Sequence, residues 1–267
     1  MVAQPPTRVR RLSKRDRAII EHVFRYRIST REVIAQSFFE PHGLKLDAAT
    51  SCLRRLAAPY QRGQNEKERR YSGRSFYLRS QLFSASGTVY YHLTTRGARV
   101  VASTAEFPHR ALEKLDRPLN PQALAKHFSI LSFCCFPGSQ RKKITFHEVR
   151  TQLAPFAIPG VASDRYYFDL SETPPRLGFI RVDYARTKAE TCVRKCYDDL
   201  LKRYTHDRFR KRILEGRFVV TLITPTEERR SQLVRTADDL PDPKLSRCIQ
   251  CVVVPELHLV LPGGAPR

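Results

Sequence analysis

Helix-start signals recur at short intervals near the beginning of the chain, and they limit this region to a set of short helices. Ser13 is followed three residues later by Asp16, and Ser29 is followed by Glu32. Each pair has the spacing of a capping box, in which two side chains satisfy backbone N–H groups that the first helical turn leaves free. Apolar residues at helical spacing follow both pairs. The sequence therefore predicts helices that begin at Ser13 and Ser29.

A third helix is predicted after the break Glu40-Pro41-His42-Gly43. Asp47 is its expected N-cap, and the helix is expected to run from Ala48 to Ala57. Its inward side chains are expected to be those of Cys52, Leu53 and Leu56. Its outward side chains are expected to be those of Ala49, Thr50, Ser51, Arg54 and Arg55. Three short helices joined by tight breaks are the skeleton of a helix-turn-helix.

Two stretches that favour β-structure follow and predict a wing. Phe76-Tyr77-Leu78 and Val89-Tyr90-Tyr91-His92-Leu93 are rich in strand formers, and Thr94-Thr95-Arg96-Gly97 opens a further helix. We therefore expect a basic flexible arm over 1–12 and a winged helix-turn-helix over 13–105. The third helix of such a fold lies in the major groove.

The residues expected to contact DNA lie in the arm, on the first and third helices, and in or near the wing. Hydroxyl groups allow close approach to base edges, and arginine reaches guanine or phosphate. For Arg54 and Arg55 the alternative is an ordinary solvated surface. The candidate DNA contacts are Arg10, Arg11, Lys14, Arg15, Thr50, Ser51, Arg54, Arg55, Arg69, Arg70, Arg74 and Arg79.

The charge of the chain indicates the class of its partner. Lys and Arg number 48 against 26 Asp and Glu, which gives a formal net charge of +22 at pH 7. Such an excess favours a polyanion, because each Lys or Arg near a phosphate releases counterions. Residues 1–105 hold 20 basic and 7 acidic side chains, so the charge density is highest where the DNA-binding module is predicted. Double-stranded DNA is the predicted partner, and a generally basic composition is the alternative.

The second half predicts a mixed α/β domain over 122–267, after a Pro-rich linker over 106–121. An apolar helix is expected over 123–136, where His127 is interpreted as a core residue rather than a catalyst. Three strands in antiparallel order are expected next, and helical crossovers then join two more strands. The predicted strands are 144–149, 166–170, 178–185, 218–223 and 248–254, and the predicted helices are 187–214, with a break near Thr205-His206, and 227–240.

This element order resembles the PD-(D/E)xK nuclease core. The resemblance implies that carboxylates on neighbouring strands hold Mg²⁺ and that a lysine assists the attacking water. The matching positions are Glu148, Asp164 and Asp183, with Lys188 as the displaced lysine. This chain departs from the nuclease pattern at two positions. Ala185 stands where the lysine is expected, and Arg181 stands where an acid is expected. These departures favour a degenerate scaffold without metal or other cofactor, and a metal-dependent DNA nuclease or nickase is the alternative.

Six short motifs spread along the chain carry a resemblance to a known family. They are Leu12-Ser13-Lys14-Arg15-Asp16, Tyr26-Arg27-Ile28-Ser29-Thr30, Leu53-Arg54-Arg55-Leu56, Tyr91-His92-Leu93-Thr94-Thr95-Arg96-Gly97, Ala125-Lys126-His127 and Phe179-Ile180-Arg181-Val182-Asp183. Together they resemble the replication-relaxation family of bacterial mobile elements. The resemblance implies a DNA-binding accessory or regulatory protein in plasmid replication, relaxation, mobilisation or transcription control. Contacts with replication or transfer proteins are left open, and so is a homodimer, because helix-turn-helix proteins often meet two-fold sites.

Cysteines and hydropathy bear on zinc binding and on the compartment. Cys192 and Cys196 share a helix face, but Cys248 and Cys251 lie on a predicted strand that points them to opposite sides, so buried free thiols are expected rather than zinc ligands. The seven cysteines are unevenly spaced, as is unusual for a secreted disulfide framework. No membrane span or signal peptide is predicted, and we expect a cytoplasmic protein.

A basic tract in the long helical region offers a second place for DNA. It contains Arg194-Lys195, Lys202-Arg203, Arg208 and Arg210-Lys211-Arg212. Cations on one helix face can follow a phosphate backbone. The alternative is a solvated face whose cations pair with Asp198, Asp199 and Asp207.

Overall fold

Two β-sheets, each covered by helices, organise the part of the chain that the structure describes. It is a computed structural model and describes residues 12–58, 76–83, 87–102, 109–156, 158 and 165–259. The helices are α1 (Lys14–Tyr26), α2 (Arg31–Phe38), α3 (Leu46–Leu56), α4 (Thr95–Ala102), α5 (His109–Asp116), α6 (Pro121–Cys135), α7 (Phe146–Gln152), α8 (Ala189–Tyr204), α9 (Asp207–Leu214), α10 (Glu227–Asp238) and α11 (Pro243–Ser246). The strands are β1 (Ser29–Thr30), β2 (Ala57–Ala58), β3 (Leu78–Leu82), β4 (Val89–Leu93), β5 (Arg141–Lys143), β6 (Tyr166–Asp169), β7 (Arg176–Val182), β8 (Phe218–Thr224) and β9 (Ile249–Val253). The predicted α+β class is confirmed.

The first helix begins as predicted, and the next two begin at different residues. The Ser13 side chain accepts a hydrogen bond from the Asp16 N–H at 3.1 Å, and Asp16 accepts one from the Ser13 N–H at 3.0 Å. The predicted cap at Ser29 is wrong, because Ser29 is buried in β1 and Thr30 caps α2 instead. The predicted cap at Asp47 is also wrong, because α3 already begins at Leu46 and Asp47 lies within its first turn.

The first sheet has the order β1-β4-β3-β2 and packs against the first three helices. Strands β3 and β4 are antiparallel, with Leu78 opposite Leu93. The predicted segment Val89-Tyr90-Tyr91-His92-Leu93 coincides with β4, whereas β3 begins at Leu78, where the segment predicted from Phe76 ends. The short strand β1, just before α2, pairs with β4 at one edge of the sheet. The short strand β2, just after α3, pairs with β3 at the other edge. Their shared core contains Ile19, Ile20, Val23, Ile34, Leu53, Leu56, Leu78 and Leu93.

The second sheet has the order β5-β6-β7-β8-β9 and lies between two helical layers. Its first three strands are antiparallel and its last three are parallel, as predicted for a meander followed by crossovers. Alternate residues face opposite layers, because side chains alternate along a strand. Tyr167, Ile180 and Val219 pack with α6, whereas Tyr166, Phe179 and Val220 pack with α8, α9 and α10. The predicted break in the long helical tract is confirmed at Thr205-His206.

The strand predicted over 144–149 is wrong. The strand here is β5, which ends at Lys143, and α7 follows from Phe146. Thr145 accepts a hydrogen bond from the Glu148 N–H at 3.2 Å, and Glu148 accepts one from the Thr145 N–H at 2.7 Å. This capping box starts a helix where the apolar residues alone suggested a strand.

The two halves of the chain share contacts. Residues 109–116, within the segment predicted as a linker, form α5, and Asp116 pairs with Arg79 of β3 at 3.2 Å. The Phe83 ring, at the end of β3, lies 5.1 Å from that of Phe128 on α6. Tyr26, from the end of α1, belongs to the same buried cluster as α6. The first sheet and the second therefore meet through an apolar core.

Replacing Gly97 by alanine tests the junction of α4 with β3. A Cβ at Gly97 would lie 2.0 Å from the backbone oxygen of Tyr77, which is fixed by its hydrogen bond to the Thr94 N–H. We expect Gly97→Ala to lower the free energy of unfolding by about 1–3 kcal/mol, as overpacking does. Urea denaturation measures this, with Ser37→Ala on the exposed side of α2 as the control. An unchanged stability for Gly97→Ala would contradict the close approach.

Candidate nucleic-acid interface

Helix α3 is seated on the first core through one face and leaves the opposite face in solvent. Ala49, Cys52, Leu53 and Leu56 are buried. The expected outward position of Ala49 is therefore wrong, because its side chain is fully covered by the core. Ser51, Arg54 and Arg55 are exposed, and Thr50 is half-buried with its hydroxyl donating to the Leu46 carbonyl at 3.0 Å.

The two adjacent arginines of α3 have different environments. Arg55 pairs with Asp16, the buried capping residue of α1, so it holds α3 against α1. Burial raises the pKa of Asp16. Hydrogen bonds from Ser13 and Cys52 and the charge of Arg55 together lower it by more, so the net pKa lies below its ordinary value. Arg54 is exposed and forms no ion pair with any residue that the structure describes. Arg54 is thus the arginine of α3 that can reach a ligand.

The first turn of α1 adds positive charge beside α3. Lys14 is exposed, and the Arg15 guanidinium lies over the Phe39 ring at 4.8 Å. Because Arg55 contacts Asp16 in the same turn, this turn lies next to the second half of α3. We call the group of Lys14, Arg15, Arg54 and Arg55 the basic corner. It joins four of the predicted DNA contacts on two packed helices.

The prediction that Arg79 clamps phosphate is wrong. Arg79 is buried on β3 and pairs with Asp116 at 3.2 Å. It lies beside His92, whose pKa is lowered to about 4, chiefly by burial and next by the charge of Arg79. An arginine in this position stabilises the fold and does not meet DNA. Arg10, Arg11, Arg69, Arg70 and Arg74 lie outside the described residues.

The role predicted for Glu148 as a metal ligand on a strand is wrong. Glu148 is in the first turn of α7, and Arg25 of α1 donates two hydrogen bonds to it, at 2.6 and 2.8 Å. Burial alone raises the pKa of Glu148, but the bonds from Arg25 and Thr145 lower it from 4.5 to about 2. Lys143 donates to the Arg25 carbonyl at 2.9 Å in the same place. Glu148 therefore joins α1 to the start of the second domain.

Asp183 was predicted to lie on a strand over 178–185, but β7 ends at Val182, and Asp183 follows it and pairs with an arginine. Arg229 of α10 donates to Asp183 Oδ2 at 2.7 Å, and the Ala185 N–H donates to Oδ1 at 2.9 Å. Lys188, the displaced lysine, is exposed at the start of α8, and Asp164 lies outside the described residues. Within the described ranges no group of three or more His, Cys, Asp or Glu could hold a metal ion. The described residues do not fit a Mg²⁺ site.

The cysteines of the second half are free, in line with the expected buried thiols. Cys192, Cys196 and Cys248 are buried. Cys251 on β9 is half-buried, and burial raises its pKa to about 11. Burial therefore favours the neutral thiol over the thiolate at these cysteines.

Only part of the basic tract on α8 and α9 lies at the protein surface. Arg194, Lys195 and Lys202 are exposed. Arg203 is fully buried, and its guanidinium lies 4.1 Å from the centre of the Phe179 ring. Including Arg203 in a DNA-contacting face is therefore wrong, because it belongs to the core.

The structure also assembles a cationic cleft that sequence spacing does not reveal. It lies at the end of β7, between α6 and α8, and has a volume of about 560 Å³. Its five cations come from four separate segments: Lys126 from α6, Arg165 before β6, Arg181 and Arg186 at the end of β7, and Lys195 from α8. We call it the β7 cleft. In the sequence, Arg181 was the one lining residue to indicate that this site differs from a carboxylate metal centre. It stands two residues before Asp183, where the nuclease pattern has an acid.

The fold and these surfaces define a basic α+β protein without an evident metal centre in the described residues. The chain matches no protein-family model, no curated protein and no solved structure. Within the part of the chain that the structure describes, every helix is too short or too polar to cross a membrane.

Replacing Glu148 by glutamine tests the connection to α1. We expect Glu148→Gln to lower the free energy of unfolding at neutral pH by about 2 kcal/mol, as loss of a charged hydrogen bond does. The folded pKa is depressed, so the stabilisation is complete above about pH 4.5 and is lost as the pH falls toward 2. Urea denaturation at several pH values should show the variant and wild type converging in that window. Glu21→Gln, an exposed carboxylate of α1, is the control, and a pH-independent difference would contradict the pairing.

Replacing Asp183 by alanine separates an ion-pair partner from a metal ligand. We expect Asp183→Ala to lower the free energy of unfolding by about 3 kcal/mol, because Arg229 is left without its buried partner. We expect millimolar Mg²⁺ or Mn²⁺ neither to raise the melting temperature of the wild type nor to promote cleavage of supercoiled plasmid. Asp198→Ala on the exposed side of α8 is the control. Metal-dependent cleavage that disappears in Asp183→Ala would establish the nuclease alternative instead.

Proposed function

We propose that this protein binds double-stranded DNA through the basic corner, with α3 in the major groove. The observation that carries this proposal is the seating of α3, whose buried face fixes the helix while Ser51 and Arg54 remain exposed. A helix held in this way can place an arginine against guanine without first ordering its own backbone. The net charge of +22 supports a polyanionic partner.

In this proposal the first half is a winged helix-turn-helix. Helices α1, α2 and α3 provide the helical part, and the antiparallel pair β3 and β4 provides the base of the wing. The second half is a PD-(D/E)xK-like scaffold that has lost its catalytic function, in agreement with the ion pairs made by Glu148 and Asp183. The nuclease alternative lacks a comparable supporting observation among the described residues.

We infer the biological setting from the sequence resemblance to the replication-relaxation family. In that setting the protein is a cytoplasmic accessory or regulatory factor of a mobile element. It acts on plasmid replication, relaxation, mobilisation or transcription control. A two-fold DNA site would bring two copies together, since helix-turn-helix proteins commonly read such sites as dimers. Replication or transfer proteins are the further partners that this setting provides.

Replacing Arg54 by alanine tests the DNA-contacting role of α3. Selection of bound fragments from genomic DNA first supplies a duplex, and fluorescence anisotropy then measures its affinity at several salt concentrations. We expect Arg54→Ala to weaken binding by about 1–3 kcal/mol if Arg54 contacts a base. If it contacts a phosphate instead, the salt slope should fall by about 1 for every sequence.

The control for this test is Arg247→Ala, an exposed arginine after α11 that lies far from α3 in the chain. We expect this variant to bind the selected duplex as the wild type does. Equal losses in the two variants, or the absence of duplex binding at low ionic strength, would overturn the proposed role of the basic corner.

A further inference from the structure

The β7 cleft combines a cationic lining with a neutralised carboxylate. Among the described residues that line it, five are Lys or Arg and one, Asp183, is acidic. Asp183 is already paired with Arg229, so it opposes an incoming anion less than an unpaired carboxylate would. The cleft therefore favours a negatively charged ligand over a metal ion or a cationic one.

One cation of the cleft is held in place by a network that reaches the core. Arg181 pairs with the buried Asp199 of α8. Asp199 also pairs with Arg203 at 3.7 Å, and Arg203 donates to the Tyr166 hydroxyl at 3.0 Å. A side chain fixed by such a network loses little conformational freedom when a ligand binds. The positive wall of the cleft is thus partly preorganised.

The remaining lining is apolar and includes an aromatic ring. Ile130, Ile180 and Leu222 belong to the lining, and Tyr184 is half-buried there with its hydroxyl donating to the Gln122 carbonyl at 3.5 Å. Cations beside an aromatic ring are the combination that holds phosphates and stacks bases of single-stranded nucleic acid. A site for inorganic phosphate alone would not need the aromatic ring.

The size of the cleft limits the ligand further. A volume of about 560 Å³ lies in the range of small-ligand sites. Such a space can enclose one nucleotide with its phosphate but not a base-paired duplex. The duplex contact proposed for α3 therefore requires a separate, open surface, and the basic corner is such a surface.

We propose that the β7 cleft binds a nucleoside phosphate unit of a single-stranded nucleic acid. Lys195 contacts the phosphate, and the base lies against Tyr184. This site goes beyond the duplex contact of α3 and involves none of its residues. A protein with both sites can hold a duplex and an unpaired strand at the same time.

Two neighbouring residues of α8 provide a matched pair of variants. Lys195 lines the cleft, whereas Arg194 is equally exposed on the same helix and does not. Fluorescence anisotropy with a labelled oligothymidylate of about twelve nucleotides measures the affinity. We expect Lys195→Glu to weaken binding at least about fivefold and to reduce the salt slope by about 0.7, the value for one single-strand phosphate contact. We expect Arg194→Glu to change the affinity less than about twofold.

A second pair of variants tests the aromatic part of the site. Tyr184→Leu should weaken oligothymidylate binding about fivefold or more, since stacking on an aromatic ring is lost. Tyr184→Phe keeps the ring and should bind nearly as the wild type does. Circular dichroism melting of both variants shows whether the fold is retained, and equal affinities of folded Tyr184→Leu and Tyr184→Phe would overturn the stacking.

Competitors distinguish the possible sources of the phosphate. Thymidine monophosphate should displace the oligothymidylate at high concentration, whereas inorganic phosphate at the same ionic strength should do so less well. Equal competition by inorganic phosphate, equal losses in Lys195→Glu and Arg194→Glu, or no oligothymidylate binding would each overturn the proposal. Arg54→Ala should still bind the oligothymidylate, and Lys195→Glu should still bind the duplex, so failure of one site is distinguishable from failure of the other.

Discussion

Pairing of arginines with a limited supply of buried and half-buried carboxylates is the interaction on which this structure depends. The chain has 26 acidic side chains for 48 basic ones, and taking a charged group out of water costs several kcal/mol unless it is paired. The described structure pairs these carboxylates with arginine accordingly. The sets are Asp16 with Arg55, Glu148 with Arg25, Asp116 with Arg79, Asp183 with Arg229, and Asp199 with both Arg181 and Arg203. These pairs engage six arginines with the fold, whereas Arg54 forms no ion pair with a described residue and remains available to a polyanion.

The same constraint explains why the carboxylates resemble a metal site in the sequence but differ from one in the structure. Asp183 at the end of a strand is the position that a nuclease would use, and its partner Arg229 lies 46 residues later, on α10. Glu148 likewise finds Arg25, which lies 123 residues earlier. An acid that a cation already neutralises binds Mg²⁺ weakly, because the metal would have to displace the arginine. Residue type and spacing alone cannot distinguish a metal ligand from an ion-pair partner, since a carboxylate at the end of a predicted strand can serve as either.

Local signals predicted much of the fold, and contacts distant in sequence account for most errors. The capping box at Ser13 and the break at Thr205-His206 were predicted because they depend on adjacent residues. The strand predicted over 144–149 is wrong because Thr145 and Glu148 form a capping box that starts a helix within this apolar segment, although that signal was local too. The prediction that Arg79 contacts phosphate was wrong for a different reason. Arg79 is buried because α5, which is distant in sequence, packs on the first sheet. The β7 cleft could not be predicted, because it collects cations from four segments that no periodicity relates.

Helix α1 connects the two halves and thereby links the proposed DNA contact to the second sheet. Its first turn carries Asp16, which holds Arg55 of α3, and its last turn carries Arg25, which holds Glu148 of α7. Tyr26 at its end packs into the cluster that contains α6, and α6 contributes Lys126 to the β7 cleft. One chain of contacts from α3 to the cleft therefore runs through α1, a helix of 13 residues, and then through α6. Under the two proposals this connection joins a duplex site to an unpaired-strand site, so a nucleic acid in which paired and unpaired segments adjoin is the ligand that could occupy both.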